Sequence, residues 1–304
     1  MSFELKEMSV NSTDNIHTLV GKIYIPEGEI KGLFHIVHGM TEHIERYDPI
    51  MSKACENGYV VFAFDNLGHG KTARDDSELG YFSACDGWKY LVNDVVAFSN
   101  AVKSIYPDKP LYLFGHSMGS FIVRLVAESY GEMYEKLIVC GTGGKNPLAH
   151  VGLFITKLLK LFKGEKYISD FVIDIAFGAY NKRFDSDEKY SWLTKDAEII
   201  KKYKNDKFCT FKFTVSGMHD LITLNNRCNR NAWYNKLPND LPIFLISGDS
   251  DPVGNYSKGV IGVYKKLIKA NKKATIKIYE NSRHEILNDT CKDEVIRDIL
   301  NFIK

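Results

Sequence analysis

Short apolar runs rich in β-branched and aromatic side chains recur along this chain, and stretches with helical spacing separate most of them. Eight runs predict strands, at 3–8, 19–25, 33–38, 60–64, 111–114, 137–140, 242–246 and 275–279. No helical pattern separates the first two, so they are expected to pair as antiparallel neighbours. Between the later runs, Leu91, Val92, Val95, Phe98, Val102 and Ile105 form one apolar stripe, and Val260, Val263, Tyr264, Leu267 and Ile268 form another. A final stripe of Val295, Ile296, Ile299, Leu300 and Ile303 follows Thr290 and Asp293, spaced like a capping box. This alternation predicts an α/β fold, a mostly parallel sheet of eight strands with helices on both faces.

The alternation stops after Cys140 and resumes at Pro242. Residues 144–236 contain no convincing strand, only helical patterns at 151–162, 196–203 and 218–233. A bare loop of that length is rare in a compact domain. The expected organisation is a core formed by 1–143 and 237–304, with 144–236 inserted as a helical cap over the carboxyl ends of the strands, where ligands bind in open α/β sheets.

Composition narrows the setting. The 304 residues are 44% hydrophobic, enough for a sizeable core, and 40 basic against 38 acidic side chains leave a net charge of +2. No basic block interleaved with aromatics calls for nucleic acid. Six scattered cysteines without a C-x-x-C pair argue against a disulfide framework or zinc knuckle. The first ten residues carry Glu4, Lys6 and Glu7 where a signal peptide needs an apolar core, and no segment reaches the roughly 20 apolar residues of a membrane span. A cytoplasmic protein is expected.

The chemistry centres on Gly115-His116-Ser117-Met118-Gly119, directly after the strand run 111–114 and before the helical pattern of Phe121, Ile122, Leu125 and Val126. Strand, G-x-S-x-G, then helix is the layout of a nucleophile elbow, which lifts the serine oxygen clear of the sheet. A serine hydroxyl needs a base, a group to orient that base, and donors for the developing oxyanion. His284, five residues beyond the last strand run, is the candidate base. The acid lies in Gly248-Asp249-Ser250-Asp251-Pro252, where Asp251 is favoured for its reach over Asp249, read as a turn residue. The order Ser, Asp, His is that of α/β-hydrolases. Backbone amides of Met118, after the nucleophile, and Met40, after the turn at Gly39, are the candidate oxyanion donors.

With these residues in view, the chain resembles the monoacylglycerol lipase and lysophospholipase branch of the α/β-hydrolases, grouped with the serine aminopeptidase (S33-like) families. His38 to His43 with Arg46-Tyr47 resembles the HG-x-x-EH-x-x-RY loop of that branch. Asp65-Asn66-Leu67-Gly68-His69-Gly70 resembles its D-x-x-GHG turn, and Asp251-Pro252-Val253 and Arg283-His284-Glu285 resemble its acid and base loops. The resemblance implies an α/β-hydrolase fold, a Ser117-Asp251-His284 triad, and oxyanion donors at Met40 and Met118. It departs at Lys71-Thr72, where the branch usually has a serine, and the insertion carries no lipase-specific motif.

The expected activity is hydrolysis of carboxylic esters of apolar acyl chains, of the monoacylglycerol or lysophospholipid type, without cofactor or metal. A thioesterase, a small peptidase, and a non-catalytic scaffold binding a hydrophobic ligand remain alternatives, since one fold and triad serve several acyl transfers. A zinc cluster of His35, His38 and His43 is not expected, since strand geometry separates their directions and the resemblance makes His38 and His43 structural. Gly141-Thr142-Gly143-Gly144 lacks the Walker spacing and is read as the exit into the insertion. The apolar stretch 151–163, with Lys157, Lys160 and Lys163, packs over the pocket or offers weak membrane-surface contact.

Overall fold

The computed structural model describes residues 3–184 and 188–304. All eight strands form, as β1 (Phe3–Asn11), β2 (Thr18–Pro26), β3 (Gly32–Val37), β4 (Tyr59–Phe64), β5 (Leu111–His116), β6 (Lys136–Cys140), β7 (Ile243–Gly248) and β8 (Ala274–Tyr279). They make one sheet in the order β1-β2-β4-β3-β5-β6-β7-β8. β1 and β2 pair antiparallel from Phe3↔Pro26 to Asn11↔Thr18, as expected for runs with no helix between them. β2 also lies antiparallel to β4, and every pairing from β4 to β8 is parallel. The central strands β3, β4, β5 and β7 are buried at every residue, which is why they read as unbroken apolar runs.

Successive side chains of these strands serve opposite faces. Leu33, Val60, Phe62 and Leu113 join one core with helices α2 (Gly87–Ile105), α3 (Met118–Tyr130) and α9 (Lys258–Lys269). Phe34, Ile36, Val61 and Phe114 join the other with α1 (Asp48–Glu56) and α10 (Lys292–Ile303). The capping box expected at the start of α10 does not form: the N-cap residue is Cys291, with no side-chain cap. Asp289 takes up the local donors instead, accepting from the Thr290 amide at 2.8 Å and the Arg283 amide at 2.8 Å.

Between β6 and β7 the described residues contain helices α4 (Ala149–Lys163), α5 (Asp170–Phe177), α6 (Ala197–Lys204), α7 (Val215–Cys228) and α8 (Asn231–Lys236), and no strand. The single helical pattern at 218–233 is thus two helices. At the break lies Arg124, a fully buried cation that needs acceptors. Its guanidinium donates to the Cys228 carbonyl, left without an intrahelical partner at the end of α7, and to Asn229 Oδ1 at 3.1 Å. The Arg124 guanidinium also lies over the Trp233 ring, 4.4 Å from its centroid, which seats α8 against α3.

Candidate active site

The elbow exists because two positions exclude a side chain. A Cβ on Gly119 would stand 2.2 Å from the Val37 carbonyl oxygen, and one on Gly115 would stand 2.4 Å from that of Gly119. With those contacts closed, β5 turns into α3 through Ser117, whose φ of 53° and ψ of −118° are strained for a residue with a Cβ. The Ser117 amide donates to the Cys140 carbonyl at 3.0 Å, extending the β5–β6 pairing into the turn.

The loop after β8 brings His284 to the same place. Its ring is buried, and Nδ1 lies 2.9 Å from Asp251 Oδ1, with that oxygen off the axis of the ring N–H. Asp251 is itself fully buried and held from both sides: the Val253 amide donates to Oδ1 at 2.8 Å and the Ser247 hydroxyl to Oδ2 at 3.3 Å. Asp249 turns elsewhere, accepting from the Asn281 amide of the loop after β8 at 3.0 Å.

The loop after β3 approaches from the opposite side. A Cβ on Gly39 would sit 2.9 Å from Ser117 Cβ, so only glycine lets this loop lie against the serine. The next residue is Met40, and among the described residues neither its amide nor that of Met118 donates to another protein group. Thr41 adopts a φ of 50°, and its hydroxyl and carbonyl meet the Tyr203 hydroxyl of α6 at 2.8 and 3.0 Å.

Beneath these loops lies a buried ionic cluster. Glu42 accepts from the Gly39 amide, from the Tyr47 hydroxyl at 2.9 Å, and from Arg46 at 3.2 Å, and its Oε1 lies 3.0 Å from His116 Nδ1. Arg46 also grips Glu285 with both terminal nitrogens, at 2.7 and 2.5 Å. Burial opposes the Glu42 charge, but His116 and Arg46 outweigh it and hold the carboxyl well below the usual carboxylate range. Burial likewise opposes a charge on His116, and the Glu42 carboxylate overrides it, raising the ring above the ordinary histidine value. Buried histidines without such a carboxylate go the other way: desolvation takes His35 and His69 down to about 3.

The insertion closes over this constellation. Residues 192–193 run beside the base loop, the Glu285 amide donating to the Leu193 carbonyl at 2.7 Å, and the Trp192 ring lies 5.2 Å from that of His284. Arg283 donates to the carbonyls of Thr194, at 2.9 Å, and Ser191. The cavity so enclosed has a volume of about 1010 Å³. Its lining includes Ser117, His284 and Met40, the apolar side chains of Phe177, Leu221 and Ile222, and Lys145, Lys258 and Lys266.

The structure therefore brings Ser117, His284, Asp251, Met40 and Met118 to one place. His116, Trp192 and Tyr203 join them without any spacing that announces it. His116 lies inside the pentapeptide, but a residue between glycine and serine carries no signal until its partners are known. His38 Nε2 accepts from the Asn66 amide at 2.8 Å, and His35 Nδ1 lies 2.8 Å from the Ser99 hydroxyl. His43 pairs instead with Asp206 at 2.8 Å. Among the described residues, these two and Cys209 are the one grouping with three donor atoms close enough for a metal, within 4.8 Å, and the His43–Asp206 pair already satisfies itself. At the Lys71-Thr72 departure the Thr72 hydroxyl accepts from the Val20 amide of β2 at 2.9 Å, so the turn is tied to the sheet and is not only local.

Known proteins resemble the chain over most of its length. The family model described as serine aminopeptidase, S33, matches residues 28–291. A monoglyceride lipase homolog of Monkeypox virus is 24% identical over 302 residues, 98% of this chain and 97% of that protein. The monoglyceride lipase of Rattus norvegicus is 27% identical over 281 residues, 91% of this chain and 82% of that protein. Among solved structures, a thermostable carboxyl esterase from Bacillus coagulans in complex with glycerol superposes with a TM-score of 0.93 at 32% identity, covering 99% of this chain and 98% of that one.

Proposed function

We propose that this chain, which belongs to the serine aminopeptidase S33 family of α/β-hydrolases, is a serine ester hydrolase acting on carboxylic esters of apolar acyl chains, of the monoacylglycerol or lysophospholipid type. The observation that carries the reading is the convergence at Ser117. A strained serine lines one cavity with His284, which has a buried carboxylate 2.9 Å away, and two backbone amides beside it lack protein partners.

In the proposed cycle Ser117 Oγ attacks the ester carbonyl while His284 Nε2 takes its proton, and Asp251 holds the ring and favours the imidazolium that forms. The amides of Met40 and Met118 receive the charge that develops on the carbonyl oxygen. His284 passes the proton to the departing alkoxide, and water, activated by the same ring, releases the acyl group from Ser117. Residues 144–236 serve as the cap, whose apolar side chains at Phe177, Leu221 and Ile222 suit an acyl chain.

The cap also supports a surface role. Phe154, Leu161 and Phe162 of α4 are 62%, 75% and 75% exposed, and Phe171 and Ile175 of α5 are exposed beside them. With Lys157 on the same side of the helix, this apolar and basic face suits weak contact with a lipid surface, from which an acyl substrate would enter. No described helix is long and apolar enough to cross a membrane. All six cysteines are free thiols, which fits a reducing cytoplasm.

Replacement Ser117→Ala tests the function directly. Hydrolysis of p-nitrophenyl esters and labelling by a fluorophosphonate are both expected to disappear; wild-type turnover in the variant would end the assignment. Turnover of an acyl-CoA or an aminoacyl naphthylamide in preference to the ester would move the reading to a thioesterase or peptidase.

A further inference from the structure

We propose that His116 is a positioning residue held as an imidazolium, the fourth charge of a buried cluster that ties the nucleophile elbow to the oxyanion loop and the base loop. The proposal rests on the reading of Ser117 and His284 as nucleophile and base.

Both ring nitrogens of His116 face acceptors. Nδ1 is 3.0 Å from Glu42 Oε1, and Nε2 is 3.3 Å from the backbone carbonyl oxygen of His284. A neutral imidazole has one donor and one acceptor, so either tautomer would set a lone pair against an oxygen lone pair. Only the doubly protonated ring satisfies both contacts. Charge balance gives the same answer: the cluster holds two carboxylates, Glu42 and Glu285, and one guanidinium, Arg46, all nearly buried, and a second cation neutralises it.

The other groups around the ring leave this balance intact. On the oxyanion loop, the Tyr47 hydroxyl donates to Glu42, and His38 is held neutral by burial. On β6, burial pushes the neighbouring Cys140 thiol well above its usual range, so it stays uncharged. From the base loop the His284 ring lies 4.7 Å away, and Asp251 beyond it is engaged with His284.

The connectivity explains what the charge does. His116 precedes Ser117, Glu42 belongs to the loop carrying Met40, and Glu285 follows His284. The ring donates directly to the base residue's own carbonyl, and through Glu42 and Arg46 it reaches Glu285. Loss of the His116 proton would leave two carboxylates against one guanidinium and break the His116–His284 link, letting the three loops drift relative to one another.

Histidine labelled with ¹⁵N in the ring tests the charge without any substrate. At pH 8 the free enzyme is expected to show a doubly protonated imidazole that is lost in His116→Gln. His17, His43 and His284 also touch carboxylates, so the measurement is repeated in a His17→Gln, His43→Gln, His284→Gln background, which identifies the signal even if His116→Gln fails to fold. A neutral His116 ring at pH 8 would overturn the proposal, whatever the enzyme hydrolyses. Kinetics test the positioning role: kcat should fall about tenfold or more in His116→Gln with KM little changed. In Glu42→Gln the alkaline limb of the kcat profile should move about one unit or more to lower pH. Folded variants with wild-type kcat and an unmoved alkaline limb would refute positioning, and an absence of ester turnover in the wild type would refute the hydrolase reading while leaving the charge measurement valid.

Discussion

Asp251, and not Asp249 two residues before it, lies against His284: Oδ1 is 2.9 Å from Nδ1, while Asp249 is spent on the Asn281 amide. The two carboxylates share a loop and differ in direction. Asp251→Asn is expected to lower kcat by about 10³ to 10⁴, because an amide no longer favours the imidazolium or its tautomer. Asp249→Asn should leave kcat within a few fold. Parallel steady-state kinetics on a p-nitrophenyl ester decide the matter, and a reversed ranking would reassign the acid.

Steric demand at the elbow makes a second prediction. Gly119→Ala drives a methyl to 2.2 Å from a backbone carbonyl, so thermal unfolding should show a loss of about 2 kcal/mol or more, with the protein failing to fold as the extreme outcome. Gly262 lies within α9 with nothing near its missing Cβ. Gly262→Ala should therefore stabilise the protein by about 0.5 to 1 kcal/mol through helix propensity.

Asp220 of α7 makes stability depend on pH. Burial raises its carboxyl to about 7, although the amides of Trp88 and Gly87 at the start of α2 offer it hydrogen bonds. An acid whose folded value lies above its unfolded one contributes stability in the protonated form, so that contribution is lost as pH rises from about 4 towards 7. The group accounts for about 4 kcal/mol across this window. Urea unfolding from pH 4.5 to 8 should show a flatter profile for Asp220→Asn than for the wild type; identical slopes would show that Asp220 titrates normally.

His116 titrates with the opposite sense. Its value is raised on folding, so the stability it supplies is complete at acid pH and is lost as pH climbs through the raised value, above the ordinary histidine range. Melting curves should show a decline on the alkaline side that is absent in His116→Gln.

The exposed face of α4 predicts binding to lipid. Wild-type protein should co-sediment with anionic vesicles at low salt, and a Leu161→Ser, Phe162→Ser variant should lose most of that binding while keeping turnover of a soluble ester. Equal sedimentation of both proteins would remove α4 from any surface role.

Much of the framework is legible in one dimension because it rests on local periodicity. Strands buried on both faces read as unbroken apolar runs such as Tyr59–Phe64, and α2, α9 and α10 read as stripes at helical spacing. The strand-turn-helix setting of Ser117 is equally local, since glycine at 115 and 119 answers contacts made within the turn and with β3. Local pattern misleads where a distant group intervenes. The apolar spacing at 218–233 continues through Asn229, but Arg124, more than a hundred residues earlier, takes the Cys228 carbonyl where the helix ends. Thr290 and Asp293 have the spacing of a capping box, and Asp289 intercepts the local amides.

By itself, then, the sequence determined the eight strands, the long helical insertion after β6, and the order in which serine, aspartate and histidine loops leave the sheet. Those features depend on residue spacing and on hydrophobic burial, which act along the chain. Only the tertiary structure decided which aspartate meets His284, what surrounds His116, and how the 192–194 segment and Tyr203 bind the loops after β8 and β3 to the insertion. Such relationships join residues up to about 240 positions apart, as between Arg46 and Glu285. They come from the directions in which loops leave separate strands and from the need of buried charges for partners, neither of which has a signature in residue order.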